Sequence, residues 1–191
     1  MTSITVIGTG NMGQAISALA EKGGNTVQVL GHQDTDQAVT GDIVILAVPY
    51  PALSEIASTR GEELTGRTVV DITNPLNYQT GELAVAPDSS AAAELAQALP
   101  SSKVLKAFNT TFGPTLAAGT VGGSQTTTVL IAGDDADAKA QLADVITAGG
   151  LQAVDAGPLG RARELEGIGL LQISLAMGEK IGWTGGLALM K

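Results

Sequence analysis

Cysteine is absent from this 191-residue chain, histidine occurs once, and aromatic residues make up only 3% of it. Without thiols there can be no disulfide and no thiolate-bound metal, a composition that fits a reducing, cytosolic compartment. With one imidazole, any histidine-based dyad would have to use His32. There is no G-x-S-x-G elbow, no H-E-x-x-H pair and no cluster with metal-ligand spacing, so no bound metal is expected. Positive charge is scarce too: 10 Lys and Arg face 19 Asp and Glu, a net −9, and no stretch gathers the cations into a patch. Such a chain repels polyanions, which argues against nucleic acid as a partner. No apolar run approaches the roughly 20 residues of a membrane span. The chain opens on a strand-like run rather than a leader, so the expectation is a cytoplasmic protein with no membrane partner.

What the chain does have is a 44% hydrophobic content, built from Ala, Val, Ile and Leu, and 25 glycines. Most of those glycines fall between short apolar runs, as turns between buried elements should. Ile4–Ile7 is a β-branched run ending at Gly8, after which Met12, Ile16, Leu19 and Ala20 recur at helical spacing. Further strands are expected at 26–30, 43–48, 68–72, 103–108, 126–132 and 151–154. The run Ile43–Val48 is continuously apolar, as a strand covered on both faces requires. Pro49 and Pro51 end it and introduce a helix. Asp88, Ser89 and Ser90 precede an Ala-rich helix. Asp134, Asp135 and Asp137 sit where a helix N-terminus favours acids. Alternating strands and helices imply an α/β fold: a Rossmann-type, mostly parallel sheet with helices on both faces.

The first turn carries the chemistry. Gly8-Thr9-Gly10-Asn11-Met12-Gly13 fits G-x-G-x-x-G and lies where that pattern has meaning, between a first strand and a helix. Gly8 serves the tight turn, Gly10 admits a pyrophosphate, and Gly13 lets helix and strand pack closely. The helix start then offers free N–H groups to the phosphates.

The second strand ends at Leu30-Gly31-His32-Gln33, without the acid that would hold an NAD ribose. No Lys or Arg lies between Lys22 and Arg60. Thr9, His32 and Gln33 can donate to a phosphate without full charges, so NADP is expected in preference to NAD. Between Gly31 and Gly41 only a turn fits, so one crossover is expected to be trimmed and that sheet edge short. Ligands of open α/β sheets lie beyond the carboxyl ends of the strands. This adds Ala47, Val48, Pro49 and Tyr50, then Asn74 and Pro75, then Asn109 to the candidate cofactor-binding residues. The two asparagines can bond a carboxamide or a carbonyl, although Asn before Pro is also a common turn former. No catalytic acid or base stands out. Asn109 is the candidate orienting residue, and hydride transfer between two redox groups needs no more than stacking and orientation.

Five blocks in order, namely Gly8–Gly13, Ala47–Pro49, Asp71–Pro75, Lys106–Thr110 and Asp155–Leu159, resemble the coenzyme F420-dependent NADP oxidoreductase family, specifically its small bacterial dinucleotide-binding members. The resemblance reaches from Ile4 to the Gly182–Gly186 segment. It implies a Rossmann domain with a small C-terminal extension, usually dimeric, moving hydride between NADP(H) and a second acceptor. It also implies pyrophosphate contact at Gly8–Gly13, with Thr9 near the 2′-phosphate. Ala47–Tyr50 would face the nicotinamide ribose, and Asn109 would lie by the nicotinamide. His32-Gln33 replaces a Ser-Arg pair of the members that bind NADP and F420, which bears on NADP selectivity. Asn109 stands where the F420 enzymes have His, which bears on F420 as the second substrate.

The resulting expectation is an NAD(P)-dependent oxidoreductase that transfers hydride between NADP(H) and a flavin-like or small carbonyl acceptor. The alternative is a non-catalytic dinucleotide-binding redox sensor. Residues 1–157 are expected to form the dinucleotide-binding domain. Residues 158–191 are expected to form a helical extension packed on it. The helix from about Arg161 to Gly178 is apolar nearly all round, through Ile168, Leu170, Leu171, Ile173, Leu175 and Met177. That pattern implies burial on more than one side and a homodimer built through this segment.

Overall fold

The computed structural model describes residues 1–190. Seven strands form one sheet: β1 Ser3–Ile7, β2 Thr26–Leu30, β3 Ile43–Leu46, β4 Thr68–Asp71, β5 Lys103–Lys106, β6 Thr128–Gly133 and β7 Gln152–Gly157. Their spatial order is β2-β1-β3-β4-β5-β6-β7. The first five strands run parallel, while β6 pairs antiparallel with β5 and parallel with β7. Helices α1 Asn11–Lys22, α2 Leu53–Leu64, α3 Ala91–Ala98, α4 Gly113–Ala118, α5 Ala136–Ala148 and α6 Ala162–Met177 complete the chain. None of these helices is long and apolar enough to cross a membrane.

Strand β3 shows why its sequence is apolar throughout. Ile43 and Ile45 enter a core with Ile16 and Leu19 of α1 and Leu142 and Val145 of α5. Val44 and Leu46 enter a second core with Leu53 and Ile56 of α2 and Leu95 of α3. Alternate side chains point to opposite faces of a strand, so a strand between two helical layers needs apolar residues at every position. The expected caps form as well: Ser90 accepts from the Ala93 N–H at the start of α3, and Asp135 accepts from Ala138 at the start of α5.

The trimmed crossover is present. Residues 31–42 carry no helix or strand between β2 and β3. They are held by side chains instead. Arg60 donates to the carbonyls of Asp34, Thr35 and Gln37, and Arg67 donates to those of Val39 and Gly41. Val39 is buried in the α2–α3 core. The Asp34 carboxylate turns inward and accepts from the Gly31 N–H at 2.7 Å.

Other details differ from the sequence reading. Strand β5 stops at Lys106 rather than Phe108, because Phe108 adopts a left-handed φ of 62°. Helix α4 and two short ribbons, 76–77 with 82–83 and 120–121 with 125–126, fall in segments for which the sequence predicts no helix and no strand pair. Helix α6 buries one face, through Ala162, Leu165, Glu166, Gly169, Gln172 and Ala176. Leu171 and Met177 on it stay 55% and 60% exposed, so the expected burial on several sides is not met within one chain.

Candidate functional site

Gly8 leaves β1 with φ +126°, and its N–H donates to the Leu30 carbonyl at 2.8 Å. A Cβ on Gly8 would lie 2.1 Å from the Ala47 carbonyl oxygen, and one on Gly13 would lie 2.1 Å from the Gly8 carbonyl oxygen. Both positions need glycine for close backbone approach. Gly10 is different. It is the N-cap of α1, offers no side-chain cap, and a Cβ built on it meets nothing within 4 Å. The first turn of α1 therefore presents N–H groups that no capping side chain satisfies, beside open space.

That space is one end of a groove across the carboxyl ends of the parallel strands. Its first section, about 360 Å³, is lined by Thr9, Gly10, His32, Thr35 and Arg60 among others. Gly10, Ala47, Val48 and Pro49 border both this and a middle section of about 590 Å³, which adds Asn11, Met12, Tyr50, Thr73 and Asn74. Asn11, Met12, Ile72 and Asn74 continue into a third section of about 500 Å³ containing Asn109, Phe112 and Trp183. One groove thus brings together most of the residues nominated from sequence. Three fall outside its lining: Gln33 is exposed, Pro75 is buried, and Gly13 is buried on the inner face of α1.

Two asparagines join the loops after β4 and β5. Asn74 Nδ2 donates to the Asn109 carbonyl at 2.9 Å, and Asn109 Nδ2 donates to Asn74 Oδ1 at 2.9 Å and to the Leu165 carbonyl at 2.8 Å. Gly169 on α6 permits this, since a Cβ there would lie 2.2 Å from Asn74 Oδ1. Asn74 is therefore more than a turn former. Phe108, immediately before Asn109, is buried in its left-handed conformation, a local cost of about 1–3 kcal/mol that the surrounding packing must offset. Its carbonyl accepts from Thr111 N and Oγ1, which fixes the loop beside the groove.

Beneath these loops lies a charge cluster that sequence reasoning did not assign. Lys106, Asp71 and Glu166 are each 0% exposed. Lys106 Nζ donates to Asp71 Oδ2 at 2.8 Å, to Glu166 Oε1 at 2.8 Å and to the Thr73 carbonyl at 2.6 Å. Asp71 Oδ1 accepts from the Thr73 N–H, and Glu166 Oε2 accepts from the Ala91 N–H at the start of α3. Burial pushes the Glu166 carboxyl above its ordinary range, outweighing the pull of the Lys106 ammonium. The cluster clamps the Thr73-Asn74 turn to α6 and α3. Lys106 belongs to one of the recognised blocks, but its partners lie 35 and 60 residues away along the chain.

Two buried polar atoms that border the groove have no protein partner: Thr73 Oγ1 and Asn109 Oδ1. Buried polar atoms are nearly always paired, so orphans that line a groove mark where a ligand's polar atoms belong. Tyr50 is unsuited to proton donation near neutral pH. Burial first, then the hydrogen bond to Glu94 at 2.7 Å and the charge of that carboxylate, push its phenol up to about 12. The third section is walled by Met12, Ile173, Met177 and the edge-on pair Phe112–Trp183, with ring centroids 5.0 Å apart. Among the described residues, no group of three or more His, Cys, Asp or Glu is arranged to hold a metal ion. The groove has apolar and aromatic walls suited to flat groups, and its lining includes two residues with unpartnered polar oxygens, Thr73 and Asn109.

Comparison with known proteins agrees with this geometry. Residues 3–75 match the family model for the coenzyme F420-dependent NADP oxidoreductases. The chain is 32% identical over 167 residues to an F420-dependent NADP reductase of Methanocaldococcus jannaschii, covering 85% of this chain and 74% of that protein. It is 30% identical over 191 residues to the F420-dependent NADP reductase of Methanothermobacter marburgensis, covering 92% and 83%. Among solved structures, an Arthrobacter protein described provisionally as an F420-dependent NADP reductase superposes with a TM-score of 0.86 at 22% identity, over 100% of both chains.

Proposed function

This chain belongs to the coenzyme F420-dependent NADP oxidoreductase family, and we propose that it moves hydride between NADP(H), in preference to NAD(H), and a flavin-like acceptor. It is an NAD(P)-dependent oxidoreductase. The observation that carries the proposal is the pair of orphaned oxygens, Thr73 Oγ1 and Asn109 Oδ1, in a groove that begins at the glycine turn.

A dinucleotide fits the residues present. Gly8–Gly13 and the first turn of α1 would hold the pyrophosphate, with Thr9 and His32 toward the 2′-phosphate. Ala47–Tyr50 would face the nicotinamide ribose, and Asn74 and Asn109 would lie beside the nicotinamide, with Asn109 Oδ1 free to accept from a carboxamide N–H. The nicotinamide supplies the hydride when bound. The protein's part is to orient two rings and exclude water between them, which the apolar and aromatic walls around Trp183 favour. A small carbonyl acceptor is less well served, because its oxygen needs a proton and Tyr50 is committed to Glu94.

The test is fluorescence titration with NADPH and NADH, followed by NADPH consumption against a panel of flavin-like and carbonyl acceptors. Tighter NADPH binding and turnover with a flavin-like acceptor are expected. Preference for NADH would defeat the cofactor choice, and binding without turnover would return the reading to a redox sensor.

Residues 1–157 are proposed to be the dinucleotide-binding domain and residues 158–191 an extension that does not fold alone. Glu166 and Gln172, polar but buried against the first part, support this. A homodimer through the extension is proposed as well. Leu171, Met177, Trp183 and Leu187, together with Tyr78, leave large apolar side chains exposed on that side. Light scattering at tens of micromolar should give a dimer, and Leu171→Glu should shift it toward monomer. A wild-type monomer at that concentration would contradict the assignment.

A further inference from the structure

Among the described residues, the groove is lined by a single cation, Arg60, in its first section beside Thr9, Gly31, His32 and Thr35. Strand β2 ends without one, so the charge comes from α2, nearly thirty positions further along the chain. Its side chain is only 11% exposed. Nη2 donates to the Asp34 carbonyl at 2.6 Å and the Thr35 carbonyl at 3.3 Å, and Nη1 to the Gln37 carbonyl at 2.9 Å. These partners are neutral, so they fix the guanidinium without cancelling its charge. The one carboxylate on it, Glu63, sits at 3.4 Å from Nη1 and also accepts from the Val39 N–H. The bonds use both terminal nitrogens and leave the Nε–H out.

A phosphomonoester carries about −1.5 to −2 charges at neutral pH. A pre-oriented guanidinium in a partly desolvated pocket is the side chain best suited to such a group. We propose that Arg60 is the residue that selects NADP(H) over NAD(H), by holding positive charge at the His32 end of the groove where the adenosine 2′-phosphate lies. The inference rests on the dinucleotide reading above. It replaces the β2-end cation with one from α2, and it makes the short 31–42 connection part of the cofactor site, since that connection aims the guanidinium. Glu55 lines the same section and is the competing group, because a carboxylate there would suit the free diol of NAD.

The experiment is fluorescence titration of the full chain with NADPH and NADH, comparing wild type with Arg60→Gln, Arg60→Lys and Glu63→Gln, each checked by thermal melting. Arg60→Gln should weaken NADPH roughly tenfold or more and change NADH by less than about twofold. Arg60→Lys should keep part of the preference. Parallel weakening of both cofactors would mean that Arg60 only straps the loop, and would overturn the proposal. If Arg60→Gln does not melt cooperatively, Glu63→Gln decides. Removing the offsetting carboxylate should tighten NADPH by roughly threefold and leave NADH unmoved, and no change in NADPH would overturn the proposal. A wild type that prefers NADH, with Glu55→Gln weakening NADH alone, would assign the pocket to a ribose diol instead. A wild type that binds neither dinucleotide would remove the parent reading and this one together.

Discussion

Gly10→Val is expected to weaken NADPH binding at least about tenfold, or 1.4 kcal/mol, while lowering the melting temperature of the free protein only slightly. The separation of the two effects comes from the geometry of the turn. A Cβ on Gly10 meets nothing within 4 Å, and its φ of −71° suits any residue. The branched side chain therefore costs the free protein little, but it projects into the space that the pyrophosphate would fill. Gly8 does not offer so clean a test. At φ +126° and 2.1 Å from the Ala47 carbonyl oxygen, Gly8→Ala would strain the fold itself, and a loss of binding would have two causes. Unchanged NADPH affinity in a well-folded Gly10→Val protein would remove the pyrophosphate from this turn.

Lys106→Met should cost about 3–5 kcal/mol of stability near neutral pH. It leaves Asp71 and Glu166 facing each other in a fully buried site with no cation between them. The pH dependence follows from the direction of the shift. In the wild type, burial raises the Glu166 carboxyl above its ordinary 4.5. A raised carboxyl contributes stability that is fully present below the unfolded value and is lost as pH rises through the folded one. Removing Lys106 takes away the attraction that limits this rise, so the deficit of Lys106→Met should narrow as pH falls from about 8 toward 5. Urea unfolding at several pH values measures both effects. A variant that matches wild type at pH 8 would mean that the cluster is not the clamp described here.

The fold was legible where the physics is local. The unbroken apolar run of β3, the helical spacing of Met12, Ile16 and Leu19, and the caps at Ser90 and Asp135 each state their structure within a few residues. The trimmed crossover between β2 and β3 could be read from the shortness of the 31–42 segment. The glycine turn was legible because Gly8 and Gly13 answer to backbone neighbours that the strand–turn–helix context already fixes, while Gly10 faces open space. What stayed hidden depends on distant partners. Arg60 reads as one charge on a polar helix face until the 31–42 connection folds back onto it. Lys106 reads as one lysine within an expected strand, because Asp71 and Glu166 reach it only after the sheet and α6 have assembled. Phe108 gives no sign of its left-handed backbone, since it is neither glycine nor asparagine and the conformation is imposed by packing around it. Helix α6 was legible only in part for a related reason: apolar periodicity shows which residues avoid water, but not whether the same chain covers them.

The most direct measurement is a crystal structure of the protein with NADP⁺. The account predicts the pyrophosphate against Gly10 and the first turn of α1, the 2′-phosphate beside His32 and Arg60, and the nicotinamide carboxamide within hydrogen-bond distance of Asn109 Oδ1. A dinucleotide bound elsewhere, or one whose nicotinamide lies away from the Asn74–Asn109 pair, would contradict it.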